Sequence, residues 1–88
     1  MAARALNLGQ MSARNQNEKK FGRWEELPSG GRLCWFDVSG RHGWRARYLK
    51  KVDADEMTIR FWQEIFDEQG KLVELHDKYP VDKGHQKA

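Results

Sequence analysis

With 88 residues, a third of them charged, the chain has room for one small domain and not for two independent cores. Its single cysteine, Cys34, excludes an intramolecular disulfide and a cysteine-based zinc cage; set between Leu33 and Trp35, it reads as a small core residue of a reducing, cytoplasmic compartment. No stretch approaches the ~20 apolar residues of a membrane-spanning helix, and the net charge of +3 hides a split, +7 over residues 1–52 against −4 over residues 53–88.

In chain order, residues 1–22 are rich in Asn, Gln, Ala, Arg and Lys and predict a disordered N-terminal arm, since so little apolar material cannot offset the entropy of ordering. The foldable part is a single small β domain over residues 23–81. Pro28, Ser29, Gly30 and Gly31 break the chain ahead of a first strand at 32–38, whose content is aromatic and β-branched. A turn through Gly40 and Gly43 leads to a strand at 44–52. There Trp44, Ala46, Tyr48 and Val52 alternate with Arg45, Arg47 and Lys51; Leu49 and Lys50 stand on the wrong sides of that alternation.

Residues 57–66 fit two periods. At helical spacing Met57, Phe61, Trp62, Ile65 and Phe66 form a stripe, giving an α+β alternative with a helix near 57–69. The following residues favour a strand, because Asp67 and Gly70 have the form of a type I turn with a glycine bulge. That hairpin template sets Phe66 opposite Leu72, Ile65 opposite Val73 and Trp62 opposite His76. A last strand at 71–79 ends at Pro80, and residues 82–88 read as a flexible C-terminal tail. The expected fold class is all-β or β-dominated, a small antiparallel meander of about four strands. Its apolar face needs a lid, either residues 21–27 or a second copy of the chain.

Three functions are weighed. The favoured one is a small non-enzymatic interaction domain that binds an unidentified protein partner or forms a homodimer through Trp62, Phe66, Leu72 and His76. The second is binding of RNA or single-stranded DNA through the basic strand, with Arg41, His42, Arg45, Arg47, Lys50 and Lys51 as candidate phosphate contacts. Alternation tempers this, since Trp44 and Tyr48 point away from Arg45 and Arg47. The third is a small ribonuclease or toxin-like enzyme using His42 or His76 as acid or base. No spacing calls for a metal or a cofactor, and Ser12, Ser29 and Ser39 lack a nucleophile elbow.

The runs Gly40-Arg-His-Gly-Trp-Arg-Ala-Arg-Tyr48, Ile59-Arg-Phe-Trp-Gln-Glu-Ile-Phe-Asp-Glu-Gln-Gly-Lys-Leu-Val-Glu-Leu-His76 and Lys78-Tyr-Pro-Val-Asp-Lys-Gly-His85 resemble small microbial β-rich proteins of unassigned function. The resemblance implies a free-standing small prokaryotic protein and carries no site residues with it.

Overall fold

The structure, a computed structural model, describes residues 8–88, with side chains from Ala13 onward. One helix, α1 (Leu8–Phe21), precedes six strands: β1 (Arg23–Glu26), β2 (Arg32–Ser39), β3 (Arg45–Val52), β4 (Thr58–Phe66), β5 (Leu72–Tyr79) and β6 (Gly84–Lys87). Each strand pairs antiparallel with the next, so the order in space is the order in the chain. The four expected strands are β2 to β5. The helix alternative near 57–69 does not form, because Thr58–Phe66 pairs on both sides.

Two expectations are corrected at the ends. The arm does not stay without structure: Leu8–Phe21 is helical, and only residues 1–7 of the predicted disordered stretch lie outside the described residues. Three side chains near its C-terminus anchor the helix. Phe21 is buried against Phe36 and Phe61, Asn17 is buried beside Glu56 and Lys50, and Glu18 accepts a hydrogen bond from Arg32 at 2.9 Å. Lys19 and Lys20 fall in the last turn, where the helix dipole favours cations. The tail is corrected likewise, since Gly84–Lys87 adds a sixth strand to β5.

Three hairpins share one turn. In each, the first residue's N–H donates to the fifth residue's carbonyl and the fourth residue's N–H donates to the first carbonyl. The closures are Leu27 with Gly31, Asp53 with Met57, and Asp67 with Lys71. The fourth position needs positive φ; Gly70 supplies it at 84°, whereas Glu56 adopts it at 65° despite its side chain. The Asp53 and Asp67 carboxylates each accept two backbone N–H groups across their turns.

Cross-strand register assigns side chains to two faces. On the helix side, one row runs Trp24, Cys34, Lys50, Phe61, Tyr79 and a second runs Phe36, Tyr48, Gln63, His76, His85. The far face carries the row Trp35, Leu49, Trp62, Asp77. Opposite Phe66 stands Leu72, as the hairpin template requires. A bulge between Ile65 and Phe66 then skips Val73, so Ile65 meets Glu74 instead of Val73 and Trp62 meets Asp77 instead of His76. That one-residue slip moves His76 to the opposite face.

Candidate nucleic-acid interface

The predicted basic strand does not present one cationic surface. Arg45, Arg47 and Lys51 point to the far face, Lys50 points to the helix side, and Arg41 and His42 sit exposed in a short 3₁₀ turn between β2 and β3. On the far face the arginines are already engaged. Arg47 grips Asp37 through Nε at 2.7 Å and Nη2 at 3.0 Å, and its guanidinium lies 5.9 Å from the Trp35 ring. Arg45 lies over Phe66 at 4.7 Å, 3.9 Å from the same carboxylate. Arg60 donates to Asp77 at 2.6 Å and covers Trp62 at 4.1 Å. The hydrogen bond from Arg47 holds the Asp37 carboxyl below its ordinary range, and the one from Arg60 does the same for Asp77. A phosphate on this face would have to displace a carboxylate.

The expected interaction face is also divided. Trp62, Phe66 and Leu72 do share the far face, but Trp62 is only 8% exposed beneath Arg60, and His76 is on the other side.

The helix-side face has a different chemistry. Phe21, Phe36, Phe61 and Tyr48 form an aromatic cluster, with the Phe36 and Tyr48 rings stacked at 5.0 Å. Three ammonium groups stand around it. Lys20 Nζ lies 5.8 Å from the Phe61 centroid, Lys78 Nζ lies 5.7 Å from Phe61 and 5.1 Å from Tyr48, and Lys50 Nζ donates to Asn17 at 2.9 Å. Among the described residues none of the three forms a salt bridge with a carboxylate. Burial, then repulsion from Lys20, pulls the Lys50 pKa down; Glu56 opposes this weakly.

Two acids act on these lysines: Asp82 feels the charge of Lys78, and Glu56, which acts on Lys50, has both its oxygens taken. Arg32, 1% exposed, donates to Oε1 at 2.7 Å, and Asn17 donates to Oε2 at 3.2 Å. Beside Lys20, Lys50 and Glu56 a cleft of about 540 Å³ opens between the helix and the sheet, walled by Phe21, Met57, Phe61 and the exposed Tyr79.

Beyond Tyr48 the second row continues through Gln63, which donates to the Tyr48 hydroxyl at 3.0 Å, to His76 and His85. Of this neighbourhood the sequence singled out Lys50, which broke the alternation of its strand, and His76, a candidate acid or base; Lys20 and Lys78 carried no such signal. No family model, curated protein or solved structure matches the chain. Among the described residues no three His, Cys, Asp or Glu side chains are grouped to hold a metal, and no helix is long and apolar enough to cross a membrane.

Proposed function

We propose that this protein binds single-stranded nucleic acid on the helix-side face of its sheet. The observation that carries the reading is the set of three lysines, Lys20, Lys50 and Lys78, gathered around Phe61 and Tyr48 without a carboxylate partner. Ammonium groups that no salt bridge ties to a carboxylate attract phosphates, and exposed ring faces such as that of Tyr79 accept bases. A concave site between a helix and a sheet suits a single strand better than a duplex. The far face is the poorer candidate, because its arginines already hold Asp37 and Asp77.

Fluorescence polarisation with a labelled mixed-sequence RNA oligonucleotide tests it. Three lysine–phosphate contacts give a slope of roughly −2 in log K against log salt, at about −0.7 per contact on single strands. Lys20→Glu and Lys78→Glu abolish binding, while Arg45→Glu leaves it intact. The reverse pattern moves the site to the far face, and an absence of binding at low salt ends the proposal.

A second reading has its own observation. Met57 and Val81 are 65% and 61% exposed, and Ile59 stands exposed near them at the end of the sheet. Such a patch suits a protein partner or a second copy of the chain. Sedimentation at micromolar concentration decides it: a dimer that dissociates on Ile59→Asp supports self-association, and a monomer excludes it in that range.

A further inference from the structure

We propose that His85, set against His76 at the end of the lysine-lined face, is the base of an RNA-cleaving centre; this rests on the reading that single-stranded nucleic acid lies on that face. The two imidazoles are register partners on β5 and β6, with ring centroids 4.4 Å apart. Each is held by a carboxylate through one nitrogen only. His85 Nδ1 lies 3.0 Å from Glu74 Oε1, and His76 Nε2 lies 2.6 Å from Asp82 Oδ1. Asp82 is itself fixed by the Gly84 N–H at 2.9 Å.

The neighbouring carboxylates favour one tautomer of each ring. With Glu74 Oε1 3.0 Å from Nδ1, a neutral His85 favours its proton on Nδ1 and its lone pair on Nε2, and half of the side chain is open to solvent. His76 is the opposite case. Its Nε2–H goes to Asp82 and its Nδ1 is buried without a partner, so it cannot reach a substrate. It serves as the wall against which the His85 ring is set. Lys78, two positions along β5 and on the same face, supplies the charge for a phosphate oxygen.

The reaction that fits is internal transesterification. Nε2 of His85 takes the proton of a ribose 2′-hydroxyl, and O2′ forms a bond to the adjacent phosphorus as the P–O5′ bond breaks. O5′ leaves with a proton from water, and the His85 imidazolium returns its proton to solvent. The products are a 2′,3′-cyclic phosphate and a 5′-hydroxyl, and no oxidant, reductant or co-reactant is consumed. Lys78 neutralises charge as it builds on the non-bridging oxygens.

The test incubates the full chain with a mixed-sequence RNA oligonucleotide and with its 2′-deoxy counterpart, and measures polarisation on the same samples. The expected result is RNA fragments ending in cyclic phosphate with DNA left whole. His85→Ala slows cleavage at least 100-fold with RNA affinity unchanged, the size expected for loss of a general base. Glu74→Gln lowers kcat and leaves KM in place, as removal of a group that only positions His85 should. Circular dichroism checks that both variants fold. RNA bound but not cut by the parent overturns the acid–base assignment alone, as does equal cleavage by His85→Ala. RNA neither bound nor cut overturns it together with the binding reading.

Discussion

Arg32 donates from Nη2 to Oε1 of Glu56 at 2.7 Å, and in doing so it joins the start of β2 to a turn residue whose backbone is left-handed, φ 65°. The same guanidinium donates from Nη1 to Glu18 on α1 at 2.9 Å. One buried cation thus holds the helix, the sheet and the β3–β4 turn together. Removing one member of a buried ion pair leaves the others uncompensated, at about 3–5 kcal/mol. Arg32→Met is expected to cost that much in urea unfolding, and to raise hydrogen exchange across α1 before the sheet loosens. Glu18→Gln costs less, because that carboxylate keeps more contact with water.

The β3–β4 and β4–β5 turns differ at one informative position. Gly70 takes positive φ freely, whereas Glu56 takes it at about 1–2 kcal/mol. If the ion pair is what keeps Glu56 there, Glu56→Gly destabilises the protein despite relieving the backbone, since it strands Arg32. In an Arg32→Met background the same substitution stabilises it. A double-mutant cycle in denaturant reads the change of sign.

Much of the fold was legible from particular residues. Asp67 and Gly70 specify their turn through local hydrogen bonds, so the β4–β5 hairpin and its Phe66–Leu72 pair follow from the chain itself. The bulge that skips Val73 has no local signature, and it alone transfers His76 from the far face to the row of Tyr48 and Gln63. Helix α1 was hidden for a related reason: it has no apolar stripe, and its stability comes from Phe21, Asn17 and Glu18 meeting residues far along the chain. His85 became part of a site only through β6, whose four residues carry no strand pattern of their own. Lys50 was the exception. Its place on the apolar side of an alternating strand was visible from the start, and it lines the cleft.

The arginine ladder of the far face predicts a small acid-sensitive contribution. The Asp37 carboxyl is held below its unfolded value, near 3.9, so its pairing stabilises the fold above that pH and is lost as pH falls through the lower, folded value. The pair is about a third exposed, which limits it to under about 1 kcal/mol. Asp37→Asn therefore trails the parent by that amount at neutral pH, and the gap closes below about pH 4. Thermal melts of the two proteins between pH 2 and pH 7, as a rough span, check both the sign and the window.

Cys34 tests the packing beneath the helix. It is fully buried in the row beside Lys50, and burial pushes its thiol pKa up. A neutral, inaccessible thiol is a poor nucleophile. It should react with a soluble disulfide reagent only at the rate at which the fold opens, so addition of denaturant accelerates the reaction steeply. Phe21→Ala, which empties the space under α1, should do so without denaturant.

The last prediction concerns Lys50 and the pH limit of nucleic-acid binding. A bound phosphate favours the charged amine, so affinity is complete below the folded pKa of Lys50 and declines as pH rises through it. Because burial and the neighbouring Lys20 ammonium lower that pKa, with Glu56 pulling weakly the other way, the decline begins below the ordinary lysine range near 10.4. Arginine stays charged throughout, so Lys50→Arg delays the decline, while Lys50→Met weakens binding at every pH. Polarisation measured from about pH 7 to pH 10 at fixed salt separates the three proteins. If Lys50→Arg follows the parent curve, the lysine whose charge sets the limit is another one, and Lys20 and Lys78 are the next to replace.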